Sequence, residues 1–320
     1  MMKKILVFVL LFLSILTATG WLLFFDASRE STVIPDTAMA TNFDKINMIE
    51  IAQGRNQALI LGSKNQQSQI SLFDLKKGKP SHRLFQSTAA LAVTEMGFSA
   101  DRTKAIAIRH NHAEIWDLAT GQSLRKISVE KPLHFISGKP NTMALGTQHK
   151  QQSAVIVDAQ TNDILTGVQL TPQFHTILAF SPDGKLALAT YKENESDSAL
   201  QLGLYETAAG KLVKTFPGKG LEQAIFSPGS RYLLIHNSPS KQFEVWGWES
   251  DSPLHIFKAD DNYPIWSCKF SYNNHYLLIH GQVWDLKSGE LLGRLSFPDT
   301  LVTCAAFSKD NLTGLAGCQD

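Results

Sequence analysis

A unit of about forty residues recurs along most of this chain, and this repeat constrains the fold more than any other feature. Its first marker is an aromatic residue followed by serine and a turn. This marker occurs in GFSADRTKAIAI, AFSPDGKLALAT, IFSPGSRYLLIH, KFSYNNHYLLIH and AFSKDNLTGLAG, at Phe98, Phe180, Phe226, Phe270 and Phe307. A second marker, an aromatic residue followed by an acidic one, keeps the same phase. Two markers in phase indicate a repeated structural unit rather than coincidence.

The second marker ends a strand in each unit, just before a turn. The residues that carry it, or stand at its position, are Phe73, Asp74, Trp116, Asp117, Asp158, Tyr205, Glu206, Trp246, Trp284 and Asp285. A catalytic site would occur once, whereas this pair recurs from unit to unit, so we interpret these residues as structural. We expect each tryptophan to pack between neighbouring units and each carboxylate to accept hydrogen bonds at its turn.

Each unit reads as four short strands. The first ends at the aromatic-serine pair, and a turn rich in Pro, Asp, Gly or Asn leads into a continuously apolar second strand. The third ends at the aromatic-acidic pair, and a glycine-containing turn leads to the fourth. Four antiparallel strands in such a unit are one blade of a β-propeller. We therefore predict an all-β fold, a β-propeller of four-stranded antiparallel blades.

The repeats predict six complete blades and a partial seventh. The complete blades span about 46–87, 91–129, 133–170, 175–216, 221–259 and 264–297. The seventh begins at Leu301 and supplies two strands before Asp320. Residues 31–34 are the candidate for a closing N-terminal strand, which would leave one strand missing. We therefore expect either a partial gene product or an imperfectly closed ring with an exposed edge.

These repeats resemble those of the WD-repeat family. The resemblance rests on the Trp-Asp pairs, on their degenerate forms and on a Ser-Pro-Asp-Gly turn: Trp116-Asp117, Trp284-Asp285, Phe73-Asp74, Val157-Asp158, Tyr205-Glu206 and residues 181–184. It covers about residues 46–320. The Gly-His pair that opens a repeat in that family is absent, so the family's buried His-Ser-Asp-Trp network is not carried over. Apolar contact between blade faces must hold the blades together instead.

The N-terminal region contains an apolar run, residues 5–25, without a charged side chain. As a helix this run would span about 31 Å, enough to cross the hydrocarbon core of a bilayer. Lys3 and Lys4 precede it, which favours a cytoplasmic N-terminus and a body outside. We predict one N-terminal transmembrane helix, an uncleaved signal-anchor at 5–25, between a cytoplasmic segment at 1–4 and a linker at 26–45, with the propeller at 46–320.

A cleaved signal peptide is the alternative interpretation of this region. Residues 18–20, Ala-Thr-Gly, have the small-x-small form of a signal peptidase site, after an apolar segment at 5–17. Cleavage there would leave Trp-Leu-Leu-Phe-Phe at the new terminus, an apolar burden that favours the anchor. In either case the body crosses the membrane. The predicted localisation is the inner (cytoplasmic) membrane, single-pass, with the body facing the periplasm or the cell exterior.

Composition excludes several classes of protein. Lys plus Arg is 30 and Asp plus Glu is 29, so a dedicated nucleic-acid binder or a polybasic membrane-surface protein is not expected. With 43% hydrophobic and 18% charged residues, the chain is not disordered. Its three cysteines, Cys268, Cys304 and Cys318, are too few for a disulfide framework, and we interpret them as small buried hydrophobic residues.

Motifs of known catalytic chemistry are missing from the sequence. It has no GxSxG elbow, HExxH, phosphate loop or dinucleotide fingerprint, so we predict no enzyme activity, no cofactor and no metal. His110 and His112 flank Asn111, and their spacing would let both rings reach one metal ion. No third ligand accompanies them, so we interpret them as solvated turn residues. Residues 192–197, KENESD, form a polar insertion that we interpret as a mobile loop.

The favoured function is that of a non-catalytic, membrane-tethered scaffold that binds a protein or peptide partner outside the cytoplasm. Loops that join the second strand to the third, and the fourth to the next blade, share one rim. The candidate contacts near this rim are His112, His175, Tyr263 and Trp266.

Two alternatives stay open at this point. One is a propeller enzyme with a metal or quinone cofactor in the central channel, which needs inward carboxylates from several first strands. Those strands are mostly apolar, with Glu95 as the acidic exception in the stretches at 91–98, 177–180 and 301–307. The other is a degenerate gene whose product does not fold stably.

Overall fold

The chain forms β-strands throughout the part that the structure describes. The computed structural model describes residues 21–26, 37–52, 55–87, 93–99, 101–109, 112–128, 133–135, 142–146, 153–158, 164–169, 174–194, 200–217, 221–237, 240–258, 268–279, 281–295, 301–308 and 313–319. The regular elements in these ranges are all β-strands, which confirms the predicted all-β class. These ranges contain no helix with the length and apolar character needed to span a bilayer.

The strands follow one another in chain order from the N-terminal region to the last described residues. The first fourteen are β1 (Trp21–Asp26), β2 (Thr37–Ala40), β3 (Lys45–Ile51), β4 (Gln57–Lys64), β5 (Gln67–Asp74), β6 (Lys79–Gln86), β7 (Val93–Phe98), β8 (Lys104–Arg109), β9 (His112–Asp117), β10 (Ser123–Ser128), β11 (Leu133–Phe135), β12 (Thr142–Gly146), β13 (Ser153–Asp158) and β14 (Ile164–Gln169). The others are β15 (Phe174–Phe180), β16 (Leu186–Tyr191), β17 (Gln201–Glu206), β18 (Leu212–Phe216), β19 (Leu221–Phe226), β20 (Tyr232–Asn237), β21 (Gln242–Gly247), β22 (His255–Lys258), β23 (Lys269–Phe270), β24 (Tyr276–Ile279), β25 (Gln282–Asp285), β26 (Leu291–Arg294), β27 (Leu301–Phe307) and β28 (Thr313–Gln319).

Five separate sheets have four strands each, and the remaining strands form one eight-stranded sheet. Sheets 2 to 6, numbered in chain order, consist of β7–β10, β11–β14, β15–β18, β19–β22 and β23–β26. Sheet 1 has two parts. Strands β3–β6 form its leading segment, and β27, β28, β1 and β2, in that order, form its closing segment. The two segments meet at the pair Gln319↔Lys45.

The first strands of successive sheets contact one another around a common centre. The contacts run from β3 through β7, β11 and β15 to β19, and from β23 through β27 back to β3. Each sheet therefore extends outward from an inner strand, as blades do in a β-propeller. This arrangement confirms the predicted propeller-like architecture.

Apolar side chains fill the spaces between neighbouring sheets. The second strands are almost continuously buried, as β8 and β16 illustrate, because each sheet is covered on both faces. Trp246 in sheet 5 is 1% exposed, and its ring meets Phe216 of sheet 4 edge to face at 5.3 Å. Such a pair contributes about 0.5–1.5 kcal/mol beyond the burial of its area. Trp116 of sheet 2 lies in the same way among the apolar residues of the leading segment. The tryptophans thus pack between sheets, as predicted.

The predicted count of six complete blades and a partial seventh is wrong. The structure has five separate four-stranded sheets, because β3–β6 belong to the same sheet as the strands at the two ends of the chain. The expectation of a missing strand is also wrong. Two N-terminal strands, β1 and β2, add to β28 and give the closing segment four strands. The predicted closing strand at 31–34 lies outside the described residues.

The predicted N-terminal transmembrane helix is contradicted where the structure describes it. Residues 21–25 belong to strand β1, which lies between β2 and β28. The predicted linker at 26–45 likewise contains β2, at Thr37–Ala40. Residues 5–20 of the predicted span lie outside the described residues. The physical reason is that a short apolar run can form either part of a membrane-spanning helix or a buried β-strand. Here β28 offers an edge with which residues 21–25 pair as a strand.

Two of the three cysteines are described, and both are buried. Cys268 is 1% exposed and Cys304 is 4% exposed, which confirms their interpretation as small core residues. Cys318 lies in β28, and its side chain is outside the described residues.

Candidate functional site

Antiparallel pairing places the connections of each sheet at two opposite edges of the propeller. The connections from first to second strand and from third to fourth strand share one edge, which we call the turn rim. The connections from second to third strand and from each sheet to the next share the other edge, which we call the loop rim. The two rims differ in their chemistry.

The serine of the first marker closes a turn at the turn rim. Four of these serines are completely buried, and the hydroxyl of each accepts a hydrogen bond of 2.8–3.0 Å from the N–H five residues later: Ser99, Ser181, Ser227 and Ser271. The residue three positions after each serine has a positive φ: Arg102, Gly184, Ser230 and Asn274. Two aspartates also accept a hydrogen bond from the serine hydroxyl, at 2.6 Å for both Asp101 and Asp183. The aromatic-serine marker therefore encodes a turn.

The acidic residue of the second marker closes the other turn at this rim. In Asp74, Asp117 and Asp285, Oδ1 accepts hydrogen bonds of 2.8–3.1 Å from the N–H groups two and three residues later. Hydrogen bonds at these turns lower the pKa of each carboxyl. The largest cause is the Lys77 N–H for Asp74, the Thr120 hydroxyl for Asp117 and the Ser288 N–H for Asp285. These carboxylates thus accept hydrogen bonds at their turns, as expected from the sequence.

The fourth strand of a sheet reaches the turn rim of the next sheet. The residues that do so occupy equivalent positions, each paired with the residue two before the end of the third strand: His82, Lys214 and His255. The His255 Nε2–H donates to the Leu286 carbonyl at 2.8 Å, and the Lys214 ammonium donates to the Ser250 carbonyl. The His82 ring lies close against Gly121. The turn rim is therefore used to join the sheets.

A buried ion pair lies at the loop rim between the leading segment and sheet 2. Arg109 ends β8 and Glu114 lies in β9. They are 6% and 4% exposed, and an Arg109 guanidinium nitrogen donates to Glu114 Oε2 at 2.6 Å. Ser123 donates to Glu114 Oε1 at 2.8 Å, and Lys126 Nζ is 3.5 Å from the same oxygen. The guanidinium also lies 4.1 Å above the ring of Phe85 in β6, which is a cation–π geometry. The pair joins two sheets next to the predicted site.

The predicted contact His112 stands beside this ion pair at the start of β9. Its side chain is half-buried. Burial first, and then the charge of Arg109, lower the pKa of His112, so its ring is neutral at pH 7. Within the Arg109 side chain, Nε is buried without a hydrogen-bond partner. The site therefore presents a neutral imidazole next to a buried guanidinium.

The other predicted contacts are placed less completely. His175 lies in β15, near the end of the strand that faces the loop rim, and its side chain is outside the described residues. Tyr263 and Trp266 lie outside the described residues altogether, as do His110 and Asn111. His112 lies in sheet 2 and His175 lies in sheet 4.

Two features of the site were missed in the sequence. Glu244 in sheet 5 is the equivalent of Glu114, and its carboxylate accepts hydrogen bonds of 2.9 Å from Trp246 Nε1 and Asn237 Nδ2. The signal was present, because each glutamate stands two residues before a tryptophan. Glu50 in β3 and Lys269 in β23 form an ion pair between inner strands of different sheets. No sequence pattern near either residue predicts this ion pair, because its partners are far apart in the sequence.

The acidic side chains of the inner strands bear on the alternative of a propeller enzyme with a metal or quinone in its channel. Among the inner strands, Glu50 and Glu222 join Glu95 as carboxylates, and Glu50 is paired with Lys269. The described ranges contain no group of three or more His, Cys, Asp or Glu side chains arranged to hold a metal ion.

No protein-family profile matches the chain, and no curated protein matches it. The assignment that the structure supports is therefore one of architecture: a β-propeller built from small antiparallel sheets.

Proposed function

We propose that this chain is a non-catalytic β-propeller of the WD-repeat type that binds a protein or peptide partner at its loop rim, outside the cytoplasm. The observation that carries this proposal is the difference in connection length between the two rims. One rim is uniform from repeat to repeat, and the other varies.

The turn rim has almost constant connections. Those between first and second strands are five residues long in six of the seven repeats: 52–56, 99–103, 181–185, 227–231, 271–275 and 308–312. In four of them the serine hydroxyl accepts a hydrogen bond within the turn, at Ser99, Ser181, Ser227 and Ser271. A change of length here would break those bonds, so this rim is reserved for holding the fold together.

The loop rim has connections of very different length. Those between second and third strands have two residues at 65–66, four at 238–241, six at 147–152 and nine at 192–200. Those between sheets range from four residues at 129–132 to ten at 259–268. Insertions in repeat proteins gather on the face that binds the partner, since loops there vary without disturbing the core.

Side-chain chemistry at this rim supports the same interpretation. Arg109 and Glu114 make a rigid base from which His112 is presented half-exposed. Lys126, 64% exposed, adds a charged side chain at the same edge. A rim with imidazole and charged groups suits a polypeptide, which offers backbone and side-chain groups over a wide area.

Affinity capture with two matched variants tests the proposal. The loop-rim variant carries alanine at His112, His175, Tyr263 and Trp266. The control variant carries alanine at three exposed turn-rim positions, Lys76, Glu249 and Lys287. All three proteins are first compared by thermal unfolding, so that only folded proteins enter the assay.

The expected result is a polypeptide that the wild type and the control retain equally and that the loop-rim variant retains at least tenfold less. Retention of the same polypeptides by all three folded proteins would refute a specific site at the loop rim. Stoichiometric metal or quinone in the purified protein would favour the enzyme alternative instead.

A further inference from the structure

Strand β1 uses residues that the apolar N-terminal run also contains. Its backbone pairs with β28 from Leu22↔Gly317 to Asp26↔Thr313. On its other side it pairs with β2 from Trp21↔Ala40 to Phe24↔Thr37. A strand paired on both sides is an interior strand of the closing segment. Residues 21–25 cannot occupy this position and a lipid bilayer at the same time.

The part of the run that remains is too short for a membrane anchor. Once residues 21–25 are assigned to β1, residues 5–20 are left, and as a helix they would span about 24 Å. The hydrocarbon core of a bilayer is about 30 Å thick. In addition, residue 20 is followed directly in the sequence by Trp21 of β1, which pairs with Ala40 of β2. A transmembrane anchor at 5–20 would draw the closing segment against the lipid.

The same sixteen residues, with those before them, have the parts of a cleavable signal peptide. Lys3 and Lys4 provide the positive n-region, and residues 5–17 provide an apolar segment of ordinary length. Ala18 and Gly20 are the small residues required three positions and one position before the cut bond. The residue that follows this bond, Trp21 of β1, pairs with Ala40 of β2.

We propose that signal peptidase cleaves the chain between Gly20 and Trp21, and that Trp21 is the N-terminal residue of the mature protein. Water adds to the Gly20 carbonyl carbon, the C–N bond to Trp21 breaks, and a carboxylate and a free amine result. The apolar Trp-Leu-Leu-Phe-Phe terminus is no burden on the mature protein, because it supplies the third strand of the closing segment. The mature chain is exported and carries no lipid-embedded helix at residues 5–25.

The experiment is expression of the full chain with its own N-terminus in a bacterium, followed by N-terminal sequencing and intact mass of the product. The expected sequence is Trp-Leu-Leu-Phe, found in the fraction released without detergent. Gly20→Leu places a large side chain directly before the cut bond and is expected to reduce processing at least tenfold. Thr19→Leu, at the neighbouring position where size is tolerated, is the control and is expected to be processed normally.

Three results would overturn the proposal. They are a product that keeps residues 1–20 and stays with the membranes, cleavage at a different bond, and equal processing of the two variants. A second measurement concerns the strand itself. Leu23→Pro removes a backbone N–H from β1 and is expected to lower the unfolding temperature of the processed protein clearly. An unchanged unfolding temperature would show that β1 is not an interior strand, and the argument from chain length would then fail.

Discussion

Replacing Gly289 with alanine tests the contact between the outer strand of sheet 5 and the turn rim of sheet 6. Gly289 has a φ of +75°, in the left-handed region. A β-carbon at this position would lie 2.6 Å from Nδ1 of His255, closer than any real contact allows. The His255 ring would have to move, and its hydrogen bond of 2.8 Å to the Leu286 carbonyl would be lost.

The expected loss is the sum of two contributions. A residue other than glycine in the left-handed region costs about 1–2 kcal/mol, and a lost hydrogen bond costs about 1 kcal/mol. Gly289→Ala should therefore lower the free energy of unfolding by about 2–3 kcal/mol. In a large domain, each kcal/mol of lost stability lowers the melting temperature by about 2–4 °C. The melting temperature of Gly289→Ala should therefore fall by roughly 4–12 °C.

A double-mutant cycle with His255→Ala separates the two contributions. His255→Ala alone removes the hydrogen bond and should cost about 1 kcal/mol. In that background no ring opposes the new methyl group, so Gly289→Ala should cost only the conformational part, about 1–2 kcal/mol. Urea unfolding of the four proteins gives a coupling of about 1 kcal/mol between the sites. A coupling within about 0.3 kcal/mol of zero would show that His255 does not rest on Gly289, and the reasoning would be refuted.

Three further predictions concern other parts of the propeller. Gln66 has a φ of 63° in the two-residue turn between β4 and β5, so Gln66→Gly should raise stability by about 0.5–1 kcal/mol in thermal unfolding, and a loss would contradict the turn geometry. Glu114→Ala leaves the buried Arg109 without its carboxylate and should lower the free energy of unfolding by about 3–5 kcal/mol. The double variant Glu114→Ala/Arg109→Met should recover most of that loss. If the single and the double variant were equally destabilised in urea unfolding, the ion pair would not account for the loss. Hydrogen bonds, first from the Ser99 hydroxyl, lower the pKa of Asp101 to about 2. Its contribution to stability is therefore present above the unfolded-state pKa of about 3.9 and lost as the pH falls from there towards 2, and Asp101→Asn should flatten the pH dependence of unfolding in that interval.

The repeat was sufficient to predict the strands and the turns because both are encoded locally. A serine such as Ser181 bonds to an N–H only five residues away, and an aspartate such as Asp117 bonds within three residues. A short sequence window therefore contains both partners. The placement of Trp116 and Trp246 between sheets followed from the same periodicity, since every unit repeats the same face.

The parts that could not be predicted depend on partners that are distant in the sequence. Residues 21–25 are equally suited to a bilayer and to an interior strand, and only the free edge of β28, almost a full chain length away, decides between them. The ion pair between Glu50 and Lys269 likewise joins residues that are far apart in the sequence. The buried carboxylates Glu114 and Glu244 were missed for a different reason, because a glutamate in a strand is usually solvated and the tryptophan two residues later was not taken as a sign of burial.

The pairing of β1 with β28 also has a consequence in time. Strand β1 is available long before its partner β28, so the circle of sheets stays open until β28 is free to pair with it. Closing so large a loop is slow, since its entropic cost must be met before any contact compensates for it. Until then β1 has only β2 as a neighbour and its other edge stays unpaired, and an unpaired apolar strand edge favours aggregation. A propeller closed by this strand pair gains its full stability only when β1 and β28 have paired.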